Sequence, residues 1–214
     1  MFTDRAEAGI ELAKLLTDRH FKRPLILALP RGGVPVGFEV ARALHAPLDT
    51  LVVRKVGTPF NPEFAVGAIA PHDVFVLDEE SLRASGASQA AVEGIVGKAR
   101  MEMRRRSEEY RSGKYSAAYV PGTVLLVDDG MATGLTARAA CEAARKKYPK
   151  AKIVIAAPVC IGDSAERLSE YADEVLCIKK RSDLYAVGQA YENFEQVSDT
   201  EVKSLLSAAS GVSS

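Results

Sequence analysis

Apolar residues recur along this chain in two rhythms that take turns. Residues 5–19 carry Ala8, Leu12, Leu15 and Leu16 at helical spacing. The next run, "PLILALP", is solidly apolar and stopped by Pro30, which predicts a short buried strand. "RGGVPVGFEVARALHA" reads as a loop feeding a helix, and "PLDTLVVRKVG" as a second strand. "EFAVGAIA" and "DVFVLDEE" predict a small hairpin that turns at Pro71-His72-Asp73. Residues 86–112 predict one long helix, with an apolar stripe of Val92, Ile95, Val96, Ala99 and Met103 and an "RSG" ending. Strand "TVLLVDD", helix "TARAACEAARKKY", strand "AKIVIAAPVC", helix "SAERLSEYA" and strand "EVLCIKK" follow in order, and "SAASGVSS" closes the chain as a frayed tail.

Helices alternate with strands that are apolar on both faces. The fold class is therefore α/β: an open, mostly parallel twisted sheet with helices on both sides. The length of 214 residues suits a single domain over 1–214. Its parts are a core at about 20–70 and 120–178, a helical insertion at about 80–118 and a small C-terminal hood at about 179–197.

Composition narrows the function by exclusion. The chain is 47% hydrophobic and 26% charged, as a globular core requires. Twenty-eight basic residues balance twenty-eight acidic ones, so no bulk charge favours DNA or an acidic membrane. No apolar run reaches the ~20 residues of a spanning helix. The amphipathic start, with acids among its bases, reads as neither a secretory signal nor a transit peptide. Cys141, Cys160 and Cys177 are read as reduced thiols of a cytoplasmic protein, without metal-ligand spacing. His20, His45 and His72 are read as surface residues at helix ends or turns, and Arg104 to Arg106, among Glu102, Glu108 and Glu109, as a solvated helix face.

The chemistry concentrates at "TVLLVDDGMATGLTA". In open α/β sheets, ligands bind beyond the carboxyl ends of the strands, and Asp128 and Asp129 sit at such an end. Gly130 to Thr136 then enters a helix N-terminus, where free amides and the helix dipole favour an anion such as phosphate. Gly134 permits close approach, and Thr133 and Thr136 supply hydroxyl donors. Two carboxylates beside a phosphate loop suit a phosphorylated sugar, its vicinal hydroxyls or a divalent cation being held by the acids. Neither the Gly-x-x-x-x-Gly-Lys-Ser/Thr loop nor Gly-x-Gly-x-x-Gly after a strand is present.

With that loop in view, the stretch resembles the phosphoribosyl pyrophosphate (PRPP) signature of type I phosphoribosyltransferases. The resemblance implies that Asp128 and Asp129 hold the ribose hydroxyls and Mg²⁺, while Ala132, Thr133, Gly134, Leu135 and Thr136 hold the 5′-phosphate. "LALPRGGVPVG" is similar to the family's pyrophosphate loop, which implies a cis Pro30–Arg31 peptide and pyrophosphate contacts from Arg31, Gly32 and Gly33. "VVRKVG" resembles the opening of the family's mobile loop, with Lys55 reaching the pyrophosphate, and residues 55–64 with part of 80–118 are expected to cover the pocket. "DLYAVGQAYENF" resembles a base-binding hood. That match assigns Tyr185 to stack on a base and Glu192 to the family's acid; in the same segment, backbone groups near Val187 are read as meeting a ring edge and Lys179 or Lys180 as donating to an exocyclic oxygen. Hypoxanthine-type enzymes place a proton-accepting Asp where Ala132 stands, so Glu63 becomes the substitute base here and Glu192 the next.

The implied activity is Mg²⁺-dependent transfer of ribose 5-phosphate from PRPP to a nitrogenous base, purine favoured, with pyrophosphate released. Arg31, Lys55 and Glu63 are its catalytic residues. The implied setting is nucleotide metabolism in the cytoplasm, in a homodimer, with neither DNA nor membrane as partner. The alternative is a non-catalytic PRPP-binding regulator or sensor. A phosphosugar hydrolase is disfavoured, because no nucleophile or metal cluster accompanies the loop.

Overall fold

The computed structural model describes residues 1–62, 64–110 and 119–209. The chain runs α1 (Arg5–Thr17), β1 (Pro24–Ala28), α2 (Gly33–Ala43), β2 (Leu48–Thr50), β3 (Arg54–Val56), β4 (Gly67–Ala70), β5 (Val74–Leu77), α3 (Glu79–Ser85) and α4 (Gln89–Tyr110). It continues as β6 (Thr123–Val127), α5 (Leu135–Lys147), β7 (Lys152–Ile161), α6 (Ser164–Leu168), β8 (Glu174–Arg181), a 3-10 turn at Val187–Ala190, and α7 (Asp199–Ala209).

Five strands form a parallel sheet in the order β2-β1-β6-β7-β8. The register of β1 on β6 runs from Pro24 opposite Thr123 to Ala28 opposite Val127. Alternation inside the apolar runs explains why they carry no polar face. Ile26, Ala28, Leu125, Val127, Val154 and Ala156 bury into a layer with α1, α2, α4 and α7. Leu25, Leu27, Val124, Leu126, Ile153 and Ile155 bury into the opposite layer, with α5 and α6. A sheet covered on both faces leaves its strand ends as the place where polar groups can face a ligand.

Several expectations need correction. "PLDTLVVRKVG" is not one strand. Its start is the edge strand β2, and its end is β3, which joins β4 and β5 in a separate antiparallel sheet of order β3-β4-β5. The two strands are joined by the apolar stretch Leu51 to Val53, with Leu51 buried in one layer and Val52 in the other, so periodicity gives no sign of the break. The hairpin is as expected, with His72 and Asp73 at its turn in the left-handed region at φ 62° and 56°. The expected 86–112 helix starts later, at Gln89, and a separate helix precedes it. Asp78 caps that first helix by accepting from the amides of Glu80 and Ser81, and Gly86 ends it at φ 68°. The "RSG" ending lies outside the described residues.

The tail also differs in part. Ser207 to Ala209 belong to α7, whose Val202, Leu206 and Ala209 are buried at i, i+4, i+7 spacing, while 210–214 lie outside the described residues. Finally, Cys160 and Cys177 are joined as a disulfide between neighbouring strands, with Cα atoms 6.1 Å apart, where reduced thiols are expected. Strand pairing makes them neighbours, which a separation of 17 residues does not announce. Cys141 is a buried free thiol. Among the described residues, no helix is long and apolar enough to cross a membrane.

Candidate functional site

The site is built where β1 and β6 end side by side. β6 delivers Asp128 and Asp129 directly from its buried run, and the Asp128 amide still bonds to the Ala156 carbonyl of β7 at 3.3 Å. Beside it, β1 delivers Leu29, whose amide bonds to the Val127 carbonyl at 2.8 Å, and then the cis peptide Pro30–Arg31, as expected. The Arg31-Gly32-Gly33 turn therefore lies flat against the acid pair. A Cβ placed on Gly32 would stand 2.0 Å from the Asp129 Oδ2, and one on Gly33 would stand 2.5 Å from the Val127 carbonyl oxygen. Only hydrogen fits at either position, so both glycines are required by space.

Past the acids, the loop is stapled to the sheet. The Met131 amide donates to the Val159 carbonyl at 2.9 Å, and the Ile161 amide donates to the Met131 carbonyl at 2.8 Å. Ser164 Oγ donates to the same Met131 carbonyl at 3.1 Å. Gly134 turns the chain at φ 77° and serves as the N-cap of α5, with no side-chain bond spent on the first amides. Thr133 is exposed, and Ala132 and Thr136 are half-buried. Leu135 is buried, so of its groups the backbone amide rather than the side chain is offered to an anion.

Electrostatics make the acid pair conspicuous. Burial first, and then the neighbouring Asp129 charge, push the Asp128 carboxyl well above the usual carboxylate range, with Lys55 and Arg5 pulling the other way. Burial also raises Asp129, opposed by its hydrogen bond to Arg5. Arg5 Nε donates to Asp129 Oδ2 at 2.8 Å, and the Tyr191 hydroxyl donates to the Asp129 carbonyl at 2.5 Å. Two adjacent carboxylates held out of water are costly unless a cation or ligand compensates them. They fit Mg²⁺, which is held by one or two carboxylates together with substrate phosphates and does not need a protein cage. Among the described residues, no cluster of three or more His, Cys, Asp or Glu could hold a metal by itself.

The remaining expected residues gather less tightly. Lys55 lies exposed on β3, near enough to Asp128 to act on it electrostatically, and α4 packs on β3 and β4. Glu63 lies outside the described residues. Arg31 is drawn to an acid outside the pair: its Nη1 stands 3.6 Å from Asp199 Oδ1 at the start of α7. The Tyr110 hydroxyl at the end of α4 donates to the same Asp199 oxygen, and the phenol pKa is pushed up to about 12 by burial and by that carboxylate. Val187 packs against Gly130, so the hood does meet the acid loop. Tyr185 is 93% exposed and touches no part of the core, and Glu192 is exposed. Lys179 lies over the Phe2 ring at 3.9 Å, and Lys180 pairs with Glu166 at 2.6 Å, so both are engaged within the protein. Arg105 and Arg106 pair with Glu102 along α4, as the helix-face reading expects.

Sequence reasoning misses Arg5, Tyr191, Tyr110 and Asp199. Arg5 and Tyr191 reach Asp129 across 124 and 62 residues of chain, and no local pattern marks such a contact. Tyr191 lies inside the hood segment, where the resemblance singles out Tyr185 instead.

Comparison with known proteins places the chain in a family. A family model described as the phosphoribosyl transferase domain matches residues 2–194. Proteins of two Mycobacterium tuberculosis strains, CDC 1551 and H37Rv, each named provisionally as a phosphoribosyl transferase, are 45% identical over 209 residues. That alignment takes in 98% of this chain and 47% of each relative, so the chain spans about half the length of the curated relatives it matches. The crystal structure of TT1426 from Thermus thermophilus superposes with a TM-score of 0.78 at 41% identity, covering 96% of this chain and 97% of that one. Matched along nearly its whole length by the family model and by these relatives, the chain belongs to the phosphoribosyl transferase domain family.

Proposed function

We propose that the protein transfers ribose 5-phosphate from PRPP to a planar nitrogen heterocycle, a purine in preference to a pyrimidine or an amine, with release of pyrophosphate. One observation carries this reading: two half-buried aspartates stand between a helix start with no side-chain cap and an Arg-Gly-Gly turn that packs directly on them. Amides from Ala132 to Thr136 take the 5′-phosphate, and the acid pair takes the ribose hydroxyls. The Gly32 amide, with Arg31 and Lys55, receives the pyrophosphate beside Gly33, whose own amide donates to the Leu29 carbonyl at 3.0 Å, and Arg31 exchanges Asp199 for the ligand.

The reaction breaks the bond between ribose C1′ and the pyrophosphate oxygen, whose electron pair leaves with the pyrophosphate, and forms a bond from C1′ to the acceptor nitrogen. Charge develops as an oxocarbenium-like carbon and a more negative leaving group, which fixed donors stabilise without reorganising. Mg²⁺, when bound at the acids, supplies further charge neutralisation to the leaving oxygens. Positioning the acceptor and keeping water from C1′ are the remaining tasks. Tyr185 is assigned to stacking, Val187 to a ring edge, and Glu63 ahead of Glu192 to accepting the acceptor's proton.

Pyrophosphate release from PRPP and Mg²⁺ is to be measured over a panel of purines, pyrimidines and amines. Turnover with a purine is the expected result, and turnover with an amine alone refutes the acceptor. The second reading, a PRPP sensor, is favoured by one feature: Ala132 leaves the loop without its own proton acceptor. PRPP binding with no turnover across the panel selects it.

A further inference from the structure

We propose that Arg5 is a positioning residue that divides the labour of the acid pair. By holding Asp129 Oδ2 it fixes and counter-charges the carboxylate that meets the ribose hydroxyls, leaving Asp128 as the carboxylate that takes the divalent cation. The inference rests on the reading above and adds a role for the N-terminal segment.

The geometry is that of a built clamp. Arg5 opens α1, and its side chain and that of Asp129 are 11% and 14% exposed. Three faces of the guanidinium are engaged: Nε on Asp129 Oδ2 at 2.8 Å, Nη1 on the Glu195 carbonyl at 2.7 Å, and the plane over the Phe194 ring at 3.9 Å. Phe194 stacks on Tyr191 at 5.1 Å, and Tyr191 bonds to the Asp129 carbonyl. The N-terminal strand is tied to the same segment. The Phe2 amide donates to the Ala190 carbonyl, and the Glu192 and Asn193 amides donate to the carbonyls of Phe2 and Thr3, each at 2.8–2.9 Å. A guanidinium held through Nε, Nη1 and its plane cannot follow a mobile carboxylate, so it sets where Asp129 points. Asp128 has no such partner. Its Oδ1 accepts the Asp129 amide at 2.9 Å, and no described arginine or lysine forms an ion pair with it. The least compensated carboxylate of the pair is the natural cation ligand.

Arg5 thereby couples two things that a local role would leave separate. Removing its charge makes the acid pair more negative, which favours a bare cation. Removing its fork frees the Asp129 carboxylate, which disfavours PRPP. The two effects have opposite signs, and general damage to the loop weakens both.

The test uses the full chain with Arg5→Met and Arg5→Lys. PRPP affinity is read by calorimetry at saturating Mg²⁺. Mn²⁺ alone is read from the loss of its free-ion paramagnetic resonance signal. For Arg5→Met the expected result is PRPP binding weaker by about 10-fold or more, the scale of one charge-assisted hydrogen bond, together with tighter Mn²⁺ binding. Arg5→Lys keeps the charge but cannot span Asp129 and the Glu195 carbonyl, so it restores the Mn²⁺ affinity and only part of the PRPP affinity. Unchanged PRPP affinity in Arg5→Met overturns this inference alone, as does weakening of both ligands together. Should Arg5→Met fail to fold, Arg5→Lys decides: full PRPP affinity overturns the proposal. Wild type that binds no PRPP overturns the underlying reading, and this inference with it.

Discussion

Replacing Gly32 by alanine tests whether the two loops are built against each other. The added Cβ would meet Asp129 Oδ2 at 2.0 Å and Asp129 Cγ at 2.6 Å. Ordinary contact begins near 3.4 Å, so the oxygen must retreat by 3.4 minus 2.0, or about 1.4 Å. It cannot do so and keep the 2.8 Å bond to Arg5, which the hood holds in place. Overpacking of this kind costs about 1–3 kcal/mol, and a lost hydrogen bond to a charged group about 1.5–3 kcal/mol. The two are alternatives more than a sum, because a carboxylate that gives way relieves the overlap. A loss of about 2–3 kcal/mol follows, within what a domain of ordinary stability survives. Urea unfolding without ligand measures that loss, and calorimetry with PRPP measures the displaced carboxylate. A Gly32→Ala protein within about 0.5 kcal/mol of wild type and with wild-type PRPP affinity would refute the idea that Gly32 is dictated by Asp129.

Three further outcomes are expected. Gly94 and Gly97 lie exposed on α4 with nothing within 4 Å of a built Cβ, so each change to alanine should stabilise the protein by about 0.5–1 kcal/mol in urea unfolding, and any loss contradicts the open space. Asp128 has a folded pKa raised above its unfolded value, so the unfolded state releases this proton first and stability falls as pH rises from about 4 through the raised value. Asp128→Asn should therefore raise the melting temperature of the unliganded protein at pH 7, with the gain fading toward pH 4, and a gain equal at both pH values tells against the cause. Tyr185→Ala removes a ring that is 93% exposed, so stability should stay within about 0.5 kcal/mol while nucleobase affinity falls and PRPP affinity holds; a drop in melting temperature alone would return Tyr185 to a packing role.

How much of this was legible depended on distance along the chain. The acid pair, the amide loop, the Gly134 turn and the cis Pro30–Arg31 peptide are each written in a few consecutive residues, and they fall where the sequence reading placed them. Strand pairing in the parallel sheet was legible as a class, because apolar runs such as Val124 to Val127 need cover on both faces. What could not be read was partnership across the fold. Nothing near Arg5 names Asp129, nothing near Asp199 names Arg31, and nothing near Cys160 names Cys177. The division of "PLDTLVVRKVG" between two sheets was equally silent, since the apolar Leu51 to Val53 at the break carries no turn residue. The hood was legible as a segment, yet its buried ring turned out to be Tyr191 and its exposed one Tyr185.

The clamp on Asp129 also fixes when the site can exist during synthesis. Its guanidinium comes from residue 5, its carboxylate from residue 129, and the ring and carbonyl that hold the guanidinium from residues 194 and 195. A chain emerging from the ribosome grows by roughly 5–20 residues per second. The first strands can pair while it lengthens, but Arg5 has no platform until residues 194 and 195 are free. A nascent chain therefore carries its Asp128–Thr136 loop for several seconds before that loop is locked. A chain cut before Phe194 loses the anchor for Arg5 while retaining every residue of the loop.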